Sequence, residues 1–389
     1  MQFFDILYFI FPLIIASAVP LAIVALGGLY SERSGVVNIA LEGIMIMGGF
    51  VGVVIISSLE TSKVGAFWIV IVSLMLAAFV GYVLFIGLRY LLDKIDKASL
   101  LESKFAFFVS YGVLAILSFV LVYIVMNNAS EVVQISMIGL VFGALAGLVF
   151  SLFHAFASIN MKANQIISAT ALNMFAPAIT LFLARNVVND NVKQISLAQS
   201  YKIDNVGFLA DIPFIGDLFF KDAYLSTYLG VAIFLVAVIV LYKTRFGLRL
   251  RSCGENPHAA DSLGINIYKI RYFGVMVSGA LAGMGGVIFA LSFSQGFVGT
   301  VTGFGFLALA VLIFGNWKPG KIIYAALFFA TLRTLSSTYG SIDFLKNLTE
   351  DSNIYNMAPY IATLIVLAFV SKNSAAPRAA GEPFDPGKR

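Results

Sequence analysis

Charge is scarce in this sequence. Of 389 residues, 12% are charged and 60% are hydrophobic, whereas soluble domains carry roughly 25% charged residues. So little polar surface excludes an ordinary soluble globular chain. Cysteine occurs once, as Cys253, and histidine twice, which excludes a disulfide framework and a multi-cysteine metal site and leaves little for histidine-based metal chemistry. No nucleophile–base–carboxylate set is visible, and no polar stretch is long enough for a soluble enzyme domain. The net charge of +5 is gathered in short loops between apolar runs, so a nucleic-acid partner is not expected.

Long apolar runs are what the chain has in abundance. Crossing the ~30 Å hydrocarbon layer takes about 20 apolar residues as a helix. Eleven candidate spans meet or approach that length, at 6–29, 36–58, 66–89, 105–126, 135–157, 165–184, 225–242, 272–291, 303–316, 322–339 and 357–371. The fold class is therefore all-α, a polytopic membrane helix bundle over 1–371, followed by a Pro- and Gly-rich cytoplasmic tail, 372–389, expected to be flexible. The two shortest runs, 303–316 and 357–371, are candidates for re-entry instead of crossing. Polar or glycine-rich breaks at SERSG (31–35) and GTVTGFGF (299–306) mark discontinuous helices, one in each half. Transporters place substrate where such breaks meet near mid-membrane.

Loop charge sets the orientation. With 243–271 in the cytoplasm, alternation puts 18 of the 25 lysines and arginines on the inner side, as the positive-inside rule requires. The N-terminus is then outside and the C-terminus inside. The segment 243–271 is itself strongly basic and holds a short helix with both ends marked: Asn256 as N-cap, Pro257 at the first helical position and Gly264 for a left-handed exit. It reads as a cytoplasmic coupling loop whose small residues, Ala259 and Ala260, admit a close partner. An ordinary charged loop with one helical turn is the plainer alternative.

Few polar groups lie within the apolar runs. Glu42 is costly there, and two readings stand: contact with a substrate, or a structural role such as pairing with Arg33 or capping free backbone N–H groups. Asn38 and Asn173 each offer a donor and an acceptor, to a polar neutral ligand or to a neighbouring helix. His154 and Arg333 sit toward span ends, where reaching for the interface explains them. GALAG occurs at 143–147 and again at 279–283, a spacing that lets helices approach closely. GNWKPGK (315–321) approaches a phosphate-binding loop, but Ile322 stands where a hydroxyl belongs and the flanks are apolar spans. Any ATP that drives this protein is bound by another chain.

Four stretches, ERSGVVNIALEG (32–43), ASINMKANQIISATALN (157–173), FGLRLRSCGENPHAADSLGI (246–265) and GFGFLALAVLIFGNW (303–317), together resemble the permease subunit of a bacterial ABC importer. The superfamily is that of branched-chain amino-acid and ribose permeases, and the nearer likeness is to its nucleoside-uptake branch. The resemblance implies alternating access in the cytoplasmic membrane, driven by a separate ATPase that carries ATP and Mg, with no cofactor on this chain. It implies three partners: the cytoplasmic ATPase, a second permease, related but different, and an extracytoplasmic substrate-binding lipoprotein. It assigns Glu255, Asn256, Pro257, Ala259, Ala260 and Asp261 to the ATPase contact. Asn38, Glu42, Asn173 and Phe304 are the expected substrate-binding residues, Phe304 stacking on a base and the others meeting ribose hydroxyls. Two departures stand out: an extra helical hairpin at 66–126, and Phe304 where relatives carry a polar residue. A simple sugar such as ribose, or a branched-chain amino acid, is the alternative cargo, and an ion-coupled secondary transporter the alternative class.

Overall fold

The computed structural model describes residues 3–62, 64–94, 104–187, 194–205, 210–213, 215–294, 296–342, 346, 351–370 and 375–387. In chain order the helices are α1 (Phe3–Arg33), α2 (Leu41–Ser62), α3 (Ala66–Lys94), α4 (Lys104–Asn128), α5 (Glu131–Ala155), α6 (Gln165–Val187), α7 (Ile215–Phe219), α8 (Leu225–Lys243), α9 (Arg245–Glu255), α10 (Pro257–Ser262), α11 (Ile267–Phe289), α12 (Phe304–Phe314), α13 (Pro319–Thr338) and α14 (Ser352–Val370). Every expected span contains a helix, but eleven is not the number of spanning helices shown. Among the described residues, seven helices are long and apolar enough to cross a membrane. The run 303–316 falls short because α12 has 11 residues, entered through left-handed Gly303 and ended at Gly315. At 1.5 Å per residue that is about half the hydrocarbon thickness.

The core is α1, α2, α5 and α11, wrapped by α6, α8, α12 and α13. With apolar lipid outside, helices gain little from hydrophobicity alone and associate through close backbone approach. The glycines supply it. A Cβ on Gly283 of α11 would fall on the Gly143 carbonyl oxygen of α5, and one on Gly147 would meet Gly279 and Gly283. The two GALAG stretches thus pack against each other, and Gly48 of α2 closes on Gly283 from the other side. Gly283→Val is expected to cost about 3 kcal/mol or more in this overpacked seam. Gly112→Val, in open space on α4, is the control. Thermal unfolding of the two purified variants should separate them; equal stability would dismiss the seam.

α3 and α4 pack chiefly on each other and meet the core through α5. Their outer faces are apolar and exposed, at Phe67 and Leu74 on one and Ile116, Leu121 and Val125 on the other. The apex of this pair, with Lys97, lies outside the described residues.

The described loops gather into two separate groups of contacts. In one, Arg33 bonds Glu255, Trp317 bonds Glu32, Tyr272 bonds Asn160, and the C-terminal segment bonds Gly35, Gly254 and Asn316. In the other, Glu60 accepts from Ala198 N, Gln199 N and the Tyr201 hydroxyl. There β1 (Ile195–Ser196) and β2 (Lys202–Asn205) pair with β4 (Gly296–Phe297) and β3 (Lys221–Tyr224) respectively. The tail differs from expectation. Its composition suggests looseness, yet 375–387 lies docked, with Pro377, Ala379 and Phe384 buried. Proline and glycine here shape a strap whose backbone groups find partners on the bundle.

Candidate functional site

The chain unwinds between α1 and α2, and residues 36–39 run without regular structure through buried and half-buried surroundings. Inside a membrane such a stretch must have its backbone groups satisfied by protein. Side chains do this. Gln165 Oε1 accepts from Val37 N at 2.7 Å, and His154 Nε2 lies 3.0 Å from the Val37 carbonyl. Asn38 Oδ1 accepts from Ala40 N, while its Nδ2 donates to Ser278 Oγ on α11. Asn173 of α6 clamps the start of α2, accepting from Gly43 N at 2.8 Å and donating to the Ile39 carbonyl at 2.9 Å. His154 is thus a buried bracket and not an interfacial group.

Glu42, in the first turn of α2, crosses to the second break. Its carboxylate accepts from Gly303 N at 3.0 Å, Gly305 N at 2.7 Å and Phe306 N at 3.3 Å. It therefore caps the open N-terminus of α12, where the helix dipole also favours negative charge. Arg33 bonds Glu255 at 2.9 Å and the Trp317 carbonyl, not Glu42. Phe304 follows the cap and is 2% exposed, its ring lying 4.7 Å from Phe289 and 5.7 Å from Phe293 between centroids. Phe293 belongs to a π-turn, Ala290–Ser294, that extends α11.

The structure thus joins Asn173, Glu42 and Phe304 at one locus, with Asn38 beside it at the α1–α2 break. Their hydrogen-bonding groups hold the two broken helices together. Other side chains gather around Phe304, and sequence reasoning did not assign them to this site. The Arg333 guanidinium lies 5.9 Å from the Phe304 ring centroid and donates to Thr302 Oγ1 at 3.3 Å, so it faces the break and not the membrane interface. Phe293, Phe306 and Tyr360 are partly or well exposed nearby. A charge interrupting apolar α13 was the available signal for Arg333.

The short helix within 243–271 forms as its end signals indicate. Asn256 Oδ1 accepts from Ala259 N at 3.0 Å, Pro257 takes the first position, and Gly264 is left-handed with φ +78°. The assigned contact residues divide between two faces of α10. Glu255, Asn256, Ala259 and Asp261 are exposed, whereas Pro257 and Ala260 are buried. Ala260 packs with Cys253, Ile267 and Phe384, so its side chain faces the interior of this chain. Leu263, just past the helix, is 82% exposed and was not singled out from the sequence. GNWKPGK forms the turn between α12 and α13, pinned by the Trp317 indole donating to Glu32.

A helix bundle with seven described helices long and apolar enough to cross a membrane is the build of a multi-pass membrane protein. Residues 103–369 match the family described as branched-chain amino acid transport system / permease component, and the chain belongs to it. It is similar to the guanosine ABC transporter permease protein NupQ of Bacillus subtilis, 34% identical over the whole of both chains. Likeness to the nucleoside ABC transporter permease protein NupC of Lactococcus lactis is 35% over 93% of this chain and 92% of the other. A second permease of that organism, NupB, is 29% identical over 51% of this chain and 54% of its own length. No solved structure matches the chain. The chain is a transport subunit and not an enzyme.

Proposed function

We propose that this chain is the permease subunit of an ATP-driven importer that moves nucleosides into the cell. The observation that carries this reading is the full-length likeness to a guanosine and a nucleoside permease. The local geometry agrees with a nucleoside's needs: aromatic side chains for a flat base, and hydroxyl and guanidinium groups for its polar edge. Asn38, Glu42 and Asn173 hold the frame, Phe304 forms the wall, and Phe293, Thr302 and Arg333 face the ligand. A cytoplasmic ATPase supplies ATP and Mg and docks on the exposed face of α10. A second permease completes the pathway, in keeping with the two L. lactis permeases that this chain resembles. An external binding protein delivers the cargo to the face bearing β1 to β4. The basic coupling face is cytoplasmic, by the charge distribution of the loops.

The test is uptake of labelled guanosine by membrane vesicles carrying the assembled transporter, in competition with other nucleosides, ribose and leucine. Nucleosides should compete, and uptake should require ATP and persist when ion gradients are collapsed. Competition by ribose or leucine alone would reassign the cargo. Uptake driven by a gradient without ATP would reassign the class.

A further inference from the structure

The sequence ends in a segment whose composition promises nothing, and its described part makes a run of specific contacts. Ala375 N donates to Asn316 Oδ1 at 2.6 Å, in the α12–α13 turn. Ala379 N donates to the Gly254 carbonyl at 2.9 Å, at the end of α9, and Gly381 N to the Gly35 carbonyl at 3.1 Å, in the α1–α2 break. The Glu382 carbonyl accepts from Nη1 of buried Arg271 at 2.8 Å, and Asp385 lies 3.7 Å from Lys162. Phe384 then turns inward, 5% exposed, against Cys253, Ala260 and Ile267, with His258 and Tyr268 flanking its ring at 5.3 and 5.8 Å. α10 has six residues, too few to hold its shape unaided, and its inner face is the one that Phe384 covers.

We propose that residues 375–387 are a strap that positions the coupling helix, with Phe384 as its anchor, and that this strap ties α10 mechanically to the α1–α2 break and the base of α11. The proposal rests on the reading of α10 as the ATPase contact. The strap touches the coupling helix through Phe384 and, two and three residues earlier, holds Arg271 and Gly35 through Glu382 and Gly381, on the elements that bear the discontinuous helices. A push on α10 is thereby shared with the core and not lost in bending a short loop. A carbonyl bound to a buried guanidinium is expensive to release, which favours a strap that stays seated while its ends move together. Phe384 acts through α10 and is a positioning residue.

Cys253 supplies a native reporter. It is the chain's single cysteine, fully buried in the Phe384 cluster, and burial pushes its thiol up to about 11. In wild-type transporter, assembled with its ATPase in membrane vesicles, maleimide should label Cys253 slowly. In Phe384→Ala, labelling should quicken by about a hundredfold, since losing a buried phenyl ring favours local opening. The ATP hydrolysed per nucleoside imported should rise severalfold while the ATPase stays bound. Phe384→Leu, which refills the cavity, should restore both. Deleting 375–389 should reproduce Phe384→Ala if the shortened chain inserts, and the point variant carries the test if it does not. Unchanged labelling in Phe384→Ala would show that no such anchor exists. Quickened labelling with an unchanged ATP-to-substrate ratio would overturn the positioning role. Thiol protection needs neither substrate nor ATP, so the strap and the nucleoside reading fail separately.

Discussion

Glu42→Ala should leave a transporter that inserts poorly, unfolds several degrees lower and imports essentially nothing. The carboxylate is the acceptor for three N–H groups at the mouth of α12, and it is buried in the bundle, 7% exposed, where little water can replace it. Each buried donor left without a partner costs about 1–3 kcal/mol. A loss of even 3 kcal/mol is a large share of the 5–15 kcal/mol that ordinarily separates folded from unfolded protein. Glu42→Gln keeps one acceptor oxygen and replaces the other by a donor, so it should fall between wild type and alanine. Glu42→Asp keeps the charge but shortens the reach, and should also be impaired. The informative measurement is thermal stability without substrate. A cap predicts that stability and uptake fall together across the three variants. If Glu42→Ala keeps wild-type stability and loses only transport, the residue belongs to the ligand and not to the helix.

The same residue shows how far the sequence could be read. An acid in an apolar run announces that something binds it, and the break at GTVTGFGF announces free N–H groups, but only tertiary packing shows that the one serves the other. Asn38 and Asn173 were legible as polar anomalies in the same way, and each is spent on unwound backbone. The α10 end signals were fully legible because caps act within four residues. Glycine spacing foretold close packing, and the structure adds that the two GALAG stretches are partners. Phe384 was not legible, because a lone aromatic among prolines and glycines carries no periodicity and its pocket is assembled from residues 253–267. Arg333 was misread since its ring partner, Phe304, lies on the preceding helix, which sequence position alone does not place beside it. Ala259 and Ala260 looked equivalent for a related reason: on a helix this short, one residue's difference turns a side chain by about 100°, and nothing local says which way the core lies.

That difference makes the last prediction. Ala259→Arg alters the exposed face of α10 and Leu263→Asp the exposed residue just past it, whereas Ala260→Arg strikes the buried face. All three should abolish coupled uptake, by different routes. The first two place a charge where a partner must pack, so ATPase binding should weaken by about tenfold or more, as expected for a central contact worth at least 1.4 kcal/mol. Their Cys253 should remain protected, because the Phe384 cluster is untouched. Ala260→Arg forces a guanidinium into the space beside Phe384 and Cys253, so it should unseat the strap and open Cys253 to maleimide. Co-purification of the ATPase with each variant, read beside maleimide labelling, separates the two faces. Were Ala259→Arg and Leu263→Asp to retain the ATPase and import at the wild-type rate, the exposed face of α10 would not be the docking surface, and the partner would have to bind elsewhere on the basic side.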